Sequence, residues 1–81
     1  MISAVVLVNT DIGEASKVLE DIKNVEGVEE AHAVWGIYDL MVKVKASSID
    51  RLRELIRLRL QQMAGVSNTL TIMIVDGLLA P

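Results

Sequence analysis

The sequence contains no cysteine and no phenylalanine, and it has only one proline, one tryptophan and one tyrosine among its 81 residues. The absence of cysteine excludes disulfides, thiolate nucleophiles and cysteine-based metal sites, and it fits an intracellular, cytoplasmic location. No apolar run approaches the ~20 residues that a membrane-spanning helix needs. The opening residues lack a basic region and a small-residue cleavage site, so no signal peptide is expected.

Charge of either sign is limited. Eight basic and eleven acidic residues give a net charge of −3, so nothing attracts the whole chain to nucleic acid. Five of the basic residues lie in or just before one helical segment, namely Lys45, Arg51, Arg53, Arg57 and Arg59. A solvated helix face is the favoured interpretation of this cluster, and an anionic partner is the alternative.

Apolar residues, by contrast, are abundant. They make up 52% of the chain, and the mean hydropathy is +0.44. A chain of this length buries only roughly two-thirds of the surface that it exposes when unfolded. The excess apolar surface therefore predicts self-association, to a dimer at least.

Hydrophobic periodicity divides the first half of the chain into four segments. Residues 2–8 form a short Val-rich run typical of a strand. Apolar residues then recur at three- and four-residue steps from Ile12 to Val25, which predicts a helix with a capping box at Asp11 and Glu14 and an end at Gly27. Residues 28–34 and 40–46 are predicted strands.

The second half repeats the helix-then-strand pattern. Ser47 or Ser48 is the predicted cap of a second helix, and Gly65 is its predicted end. The apolar stripe of this helix consists of Leu52, Leu55, Ile56, Leu60 and Met63. Residues 69–75 are rich in β-branched side chains and form the last predicted strand.

The resulting order is βαββαβ within a single domain, residues 1–81. A faint internal repeat supports it, since Gly27-Val28 and Gly65-Val66 each stand between a predicted helix and a predicted strand. Two such halves make the ferredoxin-like α+β fold, a four-stranded antiparallel sheet with both helices on one face.

Alternation along the strands predicts which residues face the helices. The predicted core face carries Leu40, Val42, Val44, Leu70, Ile72 and Ile74. The predicted open face carries Met41, Lys43, Lys45, Thr69, Thr71, Met73 and Val75, with Ser3, Val5 and Leu7 preferred over Ala4, Val6 and Val8 on the first strand. The apolar members of the open face predict a dimer interface made by Val5, Leu7, Met41, Met73 and Val75.

The segment between the second and third strands is unusual for a hairpin, because it holds Trp35, Gly36, Tyr38 and Asp39. A glycine can leave amide hydrogens pointing at an anion, a carboxylate suits an ammonium group, and aromatic rings exclude water. These residues could together hold a small zwitterion. The alternative is that the rings anchor a subunit contact and Asp39 caps a turn.

Two motifs carry a resemblance to a known family. The stretches "VWGIYDLMVKV" and "GVSNTLTIMIV", together with the opening "VVLVNTDIGEASKVLEDIKNVEGVEEAHAVWG", resemble the RAM domain, the effector-sensing domain of the Lrp/AsnC transcriptional regulators. The resemblance runs from Ile2 to about Val75. Each motif is weak alone, but their order and spacing are fairly specific.

This resemblance implies a ligand-sensing function. Family members dimerise through their sheets, associate into octamers or larger rings, and bind small effectors, commonly amino acids, where dimers meet. Carried onto this chain, it implies ligand contacts at the loop residues Trp35, Gly36, Ile37, Tyr38 and Asp39, and at Thr69 and Thr71 on the last strand. No catalytic residue, cofactor or metal is implied.

The sequence departs from a full regulator in one respect. It begins almost directly at the first strand, without a helix-turn-helix. The expectation is a stand-alone RAM protein that forms a dimer and then an octamer or decamer, without direct specific DNA binding and without membrane contact. Any effect on transcription would act through partners such as full-length Lrp/AsnC regulators.

Two other function classes are compatible with the residues. His32, Tyr38 or Asp39 could act as acid or base in a small cofactor-independent enzyme, although a sheet-face role is favoured for His32. A purely structural assembly domain, with the aromatic loop as a contact, is the third possibility. Lys43 and Lys45 are expected either to snorkel at the interface edge or to pair with Glu29 or Glu30.

Overall fold

The computed structural model describes residues 1–75, and these form one four-stranded antiparallel sheet with two helices on one face. Four strands, two α-helices and a π-helical segment follow each other in the order β1 (Ile2–Thr10), α1 (Ala15–Lys23), β2 (Val28–Ala33), β3 (Leu40–Ala46), α2 (Ile49–Glu54), the π-helical segment (Leu55–Leu60) and β4 (Val66–Met73). The order across the sheet is β2-β3-β1-β4. The predicted ferredoxin-like fold is confirmed.

The core lies between the helices and the sheet. Ala4, Val6 and Val8 of β1 are fully buried, and so are Leu40, Val42 and Val44 of β3. Val18 and Ile22 of α1 and Leu52, Ile56 and Leu60 of the second helix cover them. The preferred alternation for β1, with Ser3, Val5 and Leu7 on the open face, is therefore confirmed.

The second helix changes its winding along its length. α2 continues without a break into the π-helical segment, where the amide of Gln61 donates to the carbonyl of Ile56, five residues back, at 2.8 Å. The buried residues Leu52, Ile56 and Leu60 are spaced by four. A regular α-helix has 3.6 residues per turn, so its buried stripe would drift. The wider turn offsets that drift and keeps all three on the sheet.

The predicted N-terminal cap is present in α2 but not in α1. The hydroxyl of Ser48 accepts the amide hydrogen of Arg51 at 3.2 Å, so Ser48 rather than Ser47 caps α2. The capping box expected at Asp11 and Glu14 is wrong, because Glu14 makes no side-chain cap bond to α1. Ile12, expected on the apolar stripe of α1, lies before the helix and is fully exposed.

The predicted faces of β4 are reversed in the structure. Ala4, Val6 and Val8 lie opposite Met73, Thr71 and Thr69 respectively. Opposed residues in an antiparallel pair share a face, so these three β4 residues point toward the helices. Leu70 and Ile72 instead lie opposite Leu7 and Val5, on the open face. The amide of Ile74 donates to the carbonyl of Ser3, continuing the same register.

The reason for the error is that both alternating sets of β4 contain apolar residues. The second helix packs over β3 and β1 and leaves the helix side of the edge strand β4 partly open, where Thr71 and Met73 are tolerated. Placing Met73 on the open face was therefore wrong. Val75 lies beyond the end of β4 and is about two-fifths exposed, and an interface role for it stays a prediction.

Candidate functional site

The loop between β2 and β3 is closed at its base and open at its tip. The amide of Val34 donates to the carbonyl of Asp39 at 2.9 Å, and the amide of Asp39 donates to the carbonyl of Val8 at 3.0 Å. These two bonds fix both ends of the loop to each other and to β1. Residues 35–38 between them are therefore presented from a rigid base at one end of the sheet.

Asp39 uses its carboxylate to extend this attachment. Its Oδ2 atom accepts two hydrogen bonds from Thr10, one from the backbone amide at 2.8 Å and one from the hydroxyl at 3.1 Å. The last residue of β1 is thereby held against the loop. A carboxylate has acceptor capacity on both oxygens, so Oδ1 is left to bind an external donor such as an ammonium group.

The tip of the loop exposes large apolar side chains. Trp35 is 103% exposed and Ile37 is 88% exposed, while Tyr38 is half-buried. Ile12 is fully exposed as well, and the Thr10–Asp39 bonds bring its turn to the same end of the sheet. We name Ile12, Trp35 and Ile37 the apolar sheet end. Sequence reasoning missed Ile12 because helical periodicity assigned it to α1.

Gly36 has an ordinary backbone conformation. The glycines with positive φ among the described residues are Gly13, Gly27 and Gly65, and a Cβ added at Gly36 would meet nothing within 4 Å. Gly36 therefore does not use the left-handed backbone conformation that glycine permits. Within one protomer, the absence of a side chain at Gly36 leaves open space beside the loop.

The two threonines lie apart from the loop within one protomer. Thr69 is opposite Val8, on the far side of β1 from β3, which places it about two strand spacings, roughly 10 Å, from Asp39. Its hydroxyl accepts a hydrogen bond from the Gln61 amide at 3.1 Å. Thr71 is two residues further along β4 and lines a different surface feature, described next.

A groove of about 530 Å³ separates the second helix from the helix side of β4. We name it the α2–β4 groove. Its apolar lining includes the buried Leu52 and Ile56 and the half-exposed Ile49 and Met73. Its polar lining consists of Arg53, Arg57, Gln61 and Thr71. None of the proposed acid–base residues, His32, Tyr38 and Asp39, lines this groove.

Two further candidate residues, His32 and Lys45, contact glutamates on the open face. His32 Nε2 contacts Glu30 Oε1 at 2.9 Å, and Lys45 Nζ contacts Glu29 Oε2 at 3.3 Å. His32 is opposite Met41 in the sheet, and its contact with Glu30 gives it a sheet-face role. The expected pairing of Lys45 with a neighbouring glutamate is confirmed.

Two global features limit what the site can do. Within residues 1–75, no group of three or more metal-ligating side chains is close enough together to hold a metal ion. No helix in the same part of the chain is both long and apolar enough to span a membrane.

Comparison with known proteins identifies the family. The fold is ferredoxin-like, as in similar solved structures. The family model described as the Lrp/AsnC ligand-binding domain matches residues 3–79, and the chain belongs to this family.

Three relatives illustrate the relationship. An uncharacterised helix-turn-helix-type transcriptional regulator of Pyrococcus horikoshii is 36% identical over 55 residues, which are 68% of this chain and 37% of that regulator. The crystal structure of FFRP-DM1 shares 31% identity and a TM-score of 0.88, covering 91% of this chain and 99% of that one. The hypothetical protein PHS023 of Pyrococcus horikoshii gives 31% identity and a TM-score of 0.86, covering 91% of this chain and 89% of that one.

The chain thus spans well under half the length of the regulator that it matches and nearly the full length of FFRP-DM1. The matching regulators are transcription factors, and the shared region is their ligand-binding domain.

Proposed function

We propose that this domain is a non-catalytic sensing and oligomerisation module that binds an amino acid or a similar small zwitterion beside Asp39. The observation that carries the proposal is the apolar sheet end. Trp35 and Ile37 are almost fully exposed on a loop whose base is fixed by hydrogen bonds. Exposed apolar side chains in a rigid setting are typical of a surface that another molecule covers.

In this proposal, other copies of the chain cover two surfaces: the open face of the sheet and the apolar sheet end. On the open face, Leu7 of β1 lies between Met41 and Leu70, and Val5 lies opposite Ile72. Leu70 and Ile72 of β4, and Ile74 just beyond its end, are each exposed by 38–48%. Pairing two open faces would bury this patch, and contact between pairs through the apolar sheet end would then build a larger ring. The proposed dimer interface comprises Val5, Leu7 and Met41 with these three residues.

The effector would lie in the cleft that forms when two such pairs meet. Asp39 Oδ1 would accept the ligand ammonium group, while Trp35, Ile37 and Tyr38 would exclude water from it. Thr69 and Thr71 reach this cleft only if another protomer presents them, because roughly 10 Å separates Thr69 from Asp39 within one protomer. A ligand of this kind changes the assembly only if its affinity differs between the two states.

The transcriptional output follows from the relatives. We infer that effector binding alters assembly with full-length Lrp/AsnC regulators and that the domain itself does not read DNA sequence. Mixing the purified domain with such a regulator, with and without effector, and measuring the mass of the mixed complex tests this inference. Separate masses under all conditions would contradict it.

Calorimetry against a panel of amino acids tests the sensing proposal. The expected result is saturable binding of at least one of them. Asp39→Asn should weaken the affinity for that amino acid at least tenfold. Asp21→Asn, which makes the same charge change in an exposed ion pair on α1, should leave the affinity unchanged. Light scattering on the same samples should show an effector-dependent mass. Assembly without binding of any amino acid would instead support the purely structural alternative.

A further inference from the structure

The α2–β4 groove is a second place where the surface is built like a binding site. Its volume of about 530 Å³ lies in the range of small-molecule pockets, ~300–1,000 Å³. Leu52 is 1% exposed and Ile56 is 6% exposed, so packing against the core fixes these two apolar side chains of its lining. Ile49 and Met73 extend this apolar surface outward and are half-exposed.

Two arginines stand at the side of this apolar surface. Arg53 and Arg57 are four residues apart on one helical face, and both line the groove. The other two arginines of the helix, Arg51 and Arg59, line a shallow depression elsewhere on the helix beside Leu55 and Leu58. The four arginines of the second helix are therefore divided between two faces, and only Arg53 and Arg57 border the α2–β4 groove.

The charges in the groove have no partner among the side chains described. The ion pairs within residues 1–75 involve Lys17, His32 and Lys45, and none involves an arginine. No acidic side chain lines the groove. An unopposed guanidinium pair in a chain of net charge −3 is a local departure from the overall charge. It favours an anion and offers an ammonium group no counter-charge.

We propose that the α2–β4 groove binds an organic carboxylate with an apolar body of roughly six to eight carbons, a size that suits a pocket of this volume. The Arg53 and Arg57 guanidinium groups bind the carboxylate, and the apolar lining covers the hydrocarbon. Gln61 and Thr71 add hydrogen-bonding capacity to the lining. This site differs from the one proposed beside Asp39 in position and in ligand, since it takes a monoanion rather than a zwitterion.

Octanoate is the probe that tests the proposal. Titration followed by amide chemical shifts should give saturable changes centred on residues 49–61 and 71–73. Acetate carries the charge without the apolar body, and octan-1-ol carries an apolar body of the same length without the charge, so each should bind at least tenfold more weakly. Equal binding of octanoate and octan-1-ol would overturn the role of the arginines.

A pair of double variants with identical charge changes isolates the groove. Arg53→Gln with Arg57→Gln should weaken octanoate binding at least tenfold. Arg51→Gln with Arg59→Gln, on the same helix outside the groove, should change it less than twofold. All four side chains are exposed, so both proteins should fold, and circular dichroism checks this. An equal loss in the two double variants would show a non-specific charge effect and overturn the proposal.

Three further outcomes would overturn it. One is the absence of saturable octanoate binding, which leaves the amino acid site beside Asp39 untouched because that site is measured separately. The second is displacement of octanoate by an amino acid that fails to bind Asp39→Asn, since the two ligands would then share one site. The third is binding that appears only after residues 76–81 are removed, because the chain itself would then be the occupant.

Discussion

Asp39 has one observed role and one proposed role, on different oxygen atoms. Oδ2 accepts the two hydrogen bonds from Thr10, and Oδ1 is the atom that we propose binds the ligand. The sequence predicted a carboxylate in an unusual loop but not its partner, because Thr10 is 29 residues away and no local pattern links the two. Substitutions at Asp39 therefore act on stability and on ligand binding together unless they are chosen to keep one acceptor.

Asparagine and alanine at position 39 should consequently differ. Hydrogen bonds to a charged acceptor contribute about 1.5–3 kcal/mol, reduced here by partial exposure, so Asp39→Ala should lower the free energy of unfolding by about 1–2 kcal/mol. Asp39→Asn keeps one carbonyl acceptor for Thr10 and should cost less than about 1 kcal/mol. Urea unfolding monitored by far-ultraviolet circular dichroism measures both. Equal stability of Asp39→Ala and wild type would refute the structural role of the Thr10 bonds.

Gly65 shows how a single residue fixes the distance between two elements. Its φ is +93°, and a Cβ added there would lie 2.7 Å from Val18 Cγ2 of α1. Gly13 also has a positive φ, +80°, but an added Cβ meets nothing within 4 Å. Comparing Gly13 with Gly65 thus separates backbone strain, which both positions have, from steric conflict, which only Gly65 has.

Alanine at these two positions should have unequal effects. Gly13→Ala adds only left-handed strain, about 1–2 kcal/mol. Gly65→Ala adds a clash with the core of about 1–3 kcal/mol to a similar strain, so it should destabilise the protein by at least about 1 kcal/mol more. Thermal unfolding of both variants tests the difference. Similar melting temperatures would mean that α1 moves away from Gly65 at no cost.

Among the elements, β3 agreed with the prediction at both ends, because Val42 and Val44 alternate with Lys43 and Lys45 along most of its length. β4 failed on its faces, because "TLTIMIV" has apolar residues at both parities and sequence alone does not say how far the second helix extends over an edge strand. The π-helical segment was also missed. Its buried residues recur every four positions, a spacing that an α-helix and a π-helix both accommodate.

The cap of α2 gives a test at this scale. Ser48→Ala removes the hydroxyl that accepts the Arg51 amide hydrogen, and loss of such a cap costs about 0.5–2 kcal/mol. Ser47→Ala, one residue earlier and without a cap bond, should be nearly neutral. Chemical denaturation of the two single variants decides between them, and a larger effect at Ser47 would contradict the assigned cap.

For the whole molecule, the exchange of the two predicted faces of β4 enlarges the apolar area on the open face. Val5, Leu7 and Met41 were predicted there, and Leu70, Ile72 and Ile74 join them in place of Met73. Self-association through the sheet therefore remains the prediction, with Leu70, Ile72 and Ile74 as its residues from the last part of the chain.

Neighbouring residues of β4 provide a matched test of that interface. Ile72→Lys places a charge on the open face and should convert the protein to a single-chain mass at micromolar concentration. Met73→Lys places the same charge on the helix side, beside the α2–β4 groove, and should leave the mass unchanged. Analytical ultracentrifugation compares them. Dissociation by Met73→Lys alone would indicate that the helix side, and not the open face, holds the copies together.

The central position of β1 has a consequence for how the chain is made. β1 pairs on one side with β3 and on the other with β4, and its partners extend to Met73. Pairings between such distant residues require costly loop closure before they contribute stability. During translation, β1 can pair with β3 first, but its other edge must stay open and aggregation-prone until residues 66–73 have left the ribosome. Synthesis of nearly the whole domain precedes completion of its sheet.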